Sequence, residues 1–158
     1  MNKTYTKHLL VRFSDSMFSV GDVIELHQNI IKKNGFVWFG KLGSSIGQNH
    51  IEEINKQVKN NIESNFFLVK GNRKISTFYS ANIIYLSKDI PENERYAIPP
   101  YYFEKELTSN MRFWAKIKDI IKMSTEDVKN LKVIGSVNNI DESLFLSSSG
   151  HFFVRKII

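Results

Sequence analysis

A chain of 158 residues, 42% hydrophobic and 13% aromatic, is sized for one domain with a core of its own. It contains no cysteine, which excludes a disulfide framework and a cysteine nucleophile, and no apolar run near the length of a membrane span. Its 22 Lys+Arg against 16 Asp+Glu give a net charge of +6, which points to a polyanionic partner.

Met1 to Thr6 lacks the apolar segment of a signal peptide, and we expect a cytoplasmic protein. His8 to Phe13 is an apolar run bounded by polar residues and reads as the first strand. From Asp22 to Asn34 the apolar residues Val23, Ile24, Leu26, Ile30 and Ile31 follow helical spacing, with Asp22 placed to cap the start and Asn34-Gly35 to stop the end. His27 lies within this helix and reads as a surface or half-buried side chain, not a catalytic one. Phe36-Val37-Trp38-Phe39-Gly40-Lys41 is too short and too aromatic for a helix, so it reads as a buried strand opening into a glycine-containing loop. That loop, Leu42 to Asn49, has neither the ending of a phosphate-binding Walker loop nor the glycine spacing of a dinucleotide fingerprint. A second helix is expected over His50 to Ile62, with Ile51, Ile54, Val58 and Ile62 on one face.

Two strands follow, Asn65 to Lys70 and Ile75 to Leu86, joined by the basic turn Gly71-Asn72-Arg73-Lys74. The second is long enough to bend, or to break at a bulge near Ser80. Pro91, Pro99 and Pro100 make residues 88–100 irregular, and Tyr101-Tyr102-Phe103 then reads either as a pocket lip or as the start of a packed strand. In the strand Met111 to Ile121, alternation sets Phe113, Ala115 and Ile117 on one face and Arg112, Trp114, Lys116 and Lys118 on the other. Ser124 to Leu131 has the form of a short helix capped by Ser124, Lys132 to Ser136 reads as a strand, and His151 to Ile158 as the last one.

Catalytic machinery is not apparent. The histidines His8, His27, His50 and His151 are scattered, no Gly-x-Ser-x-Gly elbow occurs, and Glu104-Lys105-Glu106 with Asp119 does not make the acidic pattern of a restriction nuclease. We therefore expect no catalytic residue, metal or cofactor in this domain. Binding has the better parts, because proteins that read a flipped base enclose it between aromatic faces, hydrogen-bond its edge and hold its phosphates with bases. The candidate walls are Trp38 and Trp114, flanking one pocket, with one of Tyr79, Tyr101 or Tyr102. Ser80, Asn82 and Asn110 are the candidate edge readers, since amides and hydroxyls both donate and accept. Lys41, Arg73, Lys74, Arg112, Lys116 and Lys118 are the candidate phosphate ligands.

The order strand, helix, aromatic strand, helix, several strands resembles the PUA-like superfamily, which includes the EVE, YTH and ASCH modules. Residues 36–41, the run Phe78 to Ile84, and Phe113-Trp114-Ala115-Lys116-Ile117 carry the likeness. The resemblance implies an α+β fold, a small curved mixed β-barrel flanked by two or three helices, that binds modified or flipped bases in DNA or RNA. Some such modules stand at the N-terminus of McrBC-type restriction systems, and the expectation is that residues 1–158 are one nucleic-acid-binding domain opening a longer protein, with an AAA+ motor and nuclease in the same chain or complex. A second resemblance is to the plant-type DNA-binding pseudobarrel of restriction endonucleases, which reads the groove without a pocket. A small nucleotide- or RNA-acting enzyme and a peptide-binding domain are the readings from other classes.

Overall fold

In the computed structural model, residues 5–15, 19–43, 45–71, 76–136, 140–146 and 149–157 are described. The elements run β1 (His8–Phe13), α1 (Val23–Asn34), β2 (Val37–Leu42), α2 (Gln48–Lys59), β3 (Asn65–Gly71), β4 (Ser76–Ser87), α3 (Tyr101–Glu104), β5 (Met111–Lys122), α4 (Thr125–Lys129), β6 (Leu131–Val133), α5 (Ile140–Leu146) and β7 (His151–Lys156). Local chemistry accounts for α1: Asp22 accepts the Glu25 N–H at 3.0 Å, and Gly35 takes the left-handed φ of 87° that ends the helix.

One seven-stranded mixed sheet carries the order β2-β5-β4-β3-β1-β7-β6, with β1 parallel to β3 and the other pairs antiparallel. It curls strongly. Phe39 of β2 meets Phe66 of β3 with ring centroids 5.5 Å apart, and Lys41 Nζ donates to the Arg12 carbonyl at 2.9 Å, although β5, β4 and β3 separate β2 from β1 in the hydrogen-bonded order. The bend expected in the long fourth strand is present: the β4–β5 register shifts between Ser80 and Asn82 and again between Ile83 and Tyr85, and Asp119 opposite takes a positive φ of 57°. The α+β class and the flanking helices are as expected; the end strands β2 and β6 do not pair among the described residues, so the sheet is curled without the closure of a barrel.

The inside of the curl holds the main core, with Leu9, Phe66, Leu68, Phe113, Ala115 and Ile117, closed by α1 and by Ile51 and Ile54 of α2. A second cluster, around Leu10, Phe67 and Val154, lies between the other face and α4 with α5. Two expectations shift. The second helix begins and ends earlier than its apolar spacing implied, leaving Ile62 outside it and 43% exposed. Tyr101-Tyr102-Phe103 starts no strand; it forms the helical turn α3 directly after Pro100, whose fixed φ suits a helix start. α5 was not foreseen.

Candidate nucleic-acid interface

The two tryptophans do come together, in a third cluster on the outer side of β2 and β5 with Ala97, Ile98, Tyr101, Tyr102 and Met111. They are packed there and line no opening: Trp38 is 4% and Trp114 1% exposed, because α3 and the turns before it lie over them. Tyr102 sits 5.4 Å from the Trp114 ring, centroid to centroid. Trp38 Nε1–H donates to Glu94 Oε1 at 3.1 Å, while Glu94 Oε2 receives Lys116 Nζ at the same distance. Lys116 also stands 4.3 Å over the Phe36 ring. The expected open walls are thus, in this structure, the braces that hold residues 91–110 to the sheet.

Beneath α3, the Tyr102 hydroxyl accepts the Gly40 N–H at 3.1 Å and contacts His27 Nε2 at 2.9 Å. His27 Nδ1 is 2.7 Å from the Val23 carbonyl, which can only accept, so the imidazole carries its proton on Nδ1 and the Tyr102 O–H donates to Nε2. Contrary to the surface reading, His27 is fully buried, and burial pulls its pKa down to about 4. The network supplies a partner for an N–H of edge strand β2, which no neighbouring strand meets. Gly40 also has to stay small. A Cβ there lands 2.9 Å from both Trp114 Cζ3 and Met111 Cγ; the methionine can yield but the enclosed indole cannot. Gly40→Ala is expected to destabilise the fold by about 1–3 kcal/mol, read by thermal or urea unfolding.

The exits of β1 and β2 meet at a small mouth, a cavity of about 30 Å³ lined by Arg12, Phe13, Ser14, Lys41, Leu42 and Tyr101, with Tyr102 among the lining residues. Burial first, then the nearby Arg12 guanidinium, lowers the Lys41 pKa. Burial raises that of Tyr101 to about 12, so its phenol keeps its proton. Phe13 reaches Tyr79, with ring centroids 6.4 Å apart, and Asp15 joins Lys70 at 3.1 Å to the Val23 N–H at 3.0 Å. Of the residues singled out from sequence, Lys41, Tyr101 and Tyr102 line this mouth and Tyr79 adjoins it. Asn110 and Arg112 are exposed on either side of Met111, which pairs with Leu42 at the exit of β2.

The rest disperse. Ser80 lines a cleft on the opposite face of the sheet with Phe67 and Ile121, Asn82 is held between Asn65 (3.1 Å) and Asp119 (3.4 Å), and Lys118 is exposed across from it. Arg73 and Lys74 lie outside the described residues. Sequence reasoning missed Arg12, Phe13 and Ser14, although a base, an aromatic and a hydroxyl at the end of an apolar run were the same signal read at Phe39-Gly40-Lys41.

Among the described residues, no three His, Cys, Asp or Glu side chains gather as a metal-holding group, and no helix is long and apolar enough to cross a membrane. No curated protein and no solved structure matches the chain. The model of the Pua-like family matches residues 9–156, nearly the whole chain, in keeping with the curled mixed sheet and flanking helices described above. The chain belongs to the Pua-like family.

Proposed function

We propose that this domain binds nucleic acid, most readily DNA, and takes a flipped or modified base, such as a methylated one, at the mouth between β1 and β2. The observation that carries the reading is the meeting there of a cation, Lys41, with the aromatic residues Phe13 and Tyr101, beside Arg12, whose guanidinium donates to the Leu144 carbonyl at 2.8 Å. Cations hold phosphates and aromatic faces hold bases, and the two are combined wherever a protein captures an unstacked nucleotide. Family membership supports the reading, since PUA-like modules resemble one another as binders of nucleic acid. A cavity of about 30 Å³ admits little more than a water molecule, so seating a base requires the Leu42 and Tyr101 side chains to move apart. Catalysis, in this reading, belongs to another domain or subunit, and the module targets a restriction or antiphage system to its DNA.

The narrowness of the mouth favours one competitor, groove readout without flipping, for which the exposed Arg112 and Lys118 on β5 are available. Fluorescence anisotropy on matched duplexes, unmodified or carrying methylated adenine or cytosine, at two salt concentrations separates them. A modified duplex is expected to bind more tightly, with a clear salt slope, and Lys41→Met to weaken both. Equal binding of all duplexes with the slope intact moves the reading to the groove, and no binding at either salt removes nucleic acid altogether.

A further inference from the structure

The outer face of the sheet is roofed at both ends and bare between them. At the β2 end, α3 and the turns before it lie over Trp38 and Trp114; at the β1–β7 end, α4 and α5 lie over Leu10 and Phe67. β4 and the far half of β5 cross the gap. Ala81, Ile83, Leu86, Ala115 and Ile117 point into the main core, so by alternation their neighbours Asn82, Tyr85, Lys116 and Lys118 point outward. The register sets Tyr85 opposite Lys116, Asn82 opposite Lys118 and Ser80 opposite Ile121. Past Ile121 the strip opens into the cleft of about 670 Å³ that Ser80 shares with Lys122 and Asn130.

Among the described residues the exposed aromatic side chains are Tyr85, at 51%, and Tyr96, at 62%. Both adjoin Lys116: Tyr85 across the strand pair, and Tyr96 through Phe36, whose ring lies 6.3 Å from Tyr96 and 4.3 Å from the Lys116 ammonium. Lys118 and Lys122 are exposed, and neither makes an ion pair or hydrogen bond among the described residues. The carboxylates along the strip are engaged. Glu94 receives Lys116 and Trp38, and Asp119 receives the Asn82 amide at 3.4 Å; Asp127, on α4, lines the cleft. Flat rings in water beside unpaired ammonium groups suit a partner that offers base faces and phosphates together. A duplex hides its base faces in the stack, and a peptide brings no regular run of anions. An unpaired polynucleotide offers both.

We propose that this strip binds a single-stranded stretch of nucleic acid, with Tyr85 and Tyr96 stacking bases and Lys118 and Lys122 holding phosphates. It rests on the preceding reading for the class of partner alone, and adds a contact outside the mouth that takes an unpaired strand. Ser80 to Tyr85 spans about 16 Å at the rise of a β-strand, so the contact covers a few nucleotides.

Fluorescence anisotropy with a short oligothymidylate, which stays unpaired, and with the modified and unmodified duplexes separates the strip from the mouth. The parent is expected to bind the oligothymidylate with a clear salt slope. Tyr85→Ala is expected to weaken that binding about tenfold, while Tyr85→Phe, which keeps the ring, matches the parent. The ring is half in solvent, so both variants are expected to unfold at the parent's midpoint. The Lys118→Gln/Lys122→Gln double variant should flatten the salt slope by about 1.4, the share of two phosphates on a single strand. Tyr85→Ala is expected to keep the parent's ratio of affinities for modified over unmodified duplex, which the mouth sets. An oligothymidylate that the parent does not bind, or that Tyr85→Ala binds as well as the parent, overturns the strip and leaves the proposed function to its duplex test. Equal losses in Tyr85→Ala and Tyr85→Phe remove stacking and overturn it too. The expected losses on oligothymidylate, with no preference among the duplexes, keep the strip and remove the flipped-base reading.

Discussion

Trp114→Ala is expected to cost about 3–5 kcal/mol of stability, the range for removing a large enclosed aromatic side chain. For a domain of this size the unfolding midpoint then falls by about 6–20 °C. The ring is 1% exposed and packs against Tyr102 and the Gly40 backbone, so its loss opens a cavity beneath α3 and frees the segment that Trp38 and Lys116 anchor through Glu94. Differential scanning calorimetry gives the stability loss, and anisotropy titration below the lowered midpoint gives the affinity of molecules still folded. That affinity should fall less than the stability does, because the indole lies behind the mouth and is absent from its lining. An unchanged midpoint with binding abolished would make Trp114 a wall of the binding site and reverse this assignment.

Acid should loosen the fold well before its carboxylates titrate. His8 and His27 are both buried, and burial is the leading cause that lowers each pKa from 6.5 to about 4, with the Lys156 charge adding to it at His8. Above pH 6.5 both histidines are neutral whether the chain is folded or not, and their full contribution is present. Between pH 6.5 and 4 the unfolded chain takes up a proton at each that the folded chain refuses, so stability falls as pH falls. Across that window the loss is on the order of 3 kcal/mol per histidine. Urea midpoints at pH 7.5, 6 and 5 measure it, and the slope in His27→Gln should be shallower by one proton. A stability that is flat from pH 7.5 to 5 would show that these imidazoles are solvated in the native state.

How the chain announced its fold depended on where the deciding contact lies. α1 was legible because its helical spacing and both of its caps are local, and β2 because four large apolar residues in a row have no other use. The bend in β4 could be inferred from length alone. Trp114 was misplaced by the reading because Arg112, Lys116 and Lys118 make its face look solvated. Alternation reports which side a residue faces without reporting what lies over that side, and the segment that folds back over Trp114 is α3 with the turns before it. His27 was misjudged for a related reason, since its partners are the Tyr102 hydroxyl and a carbonyl one turn back. The family likeness was readable from the order of elements. The mouth was only half readable: Lys41, Tyr101 and Tyr102 stood out as residues, but their meeting with Arg12 depends on the curl of the sheet.

The position of β1 also bears on how the molecule comes into being. Leu9 pairs with Phe66 on one side and with Phe153 on the other, so β1 stays unzipped on one edge until β7, more than 130 residues later, has been made. Pairings this distant in sequence slow folding and leave an apolar strand exposed in the interim. The nascent chain therefore has reason to be shielded by a chaperone until β7 emerges, and a ribosome halted within α5 would present a β1 whose second edge has nothing to close on.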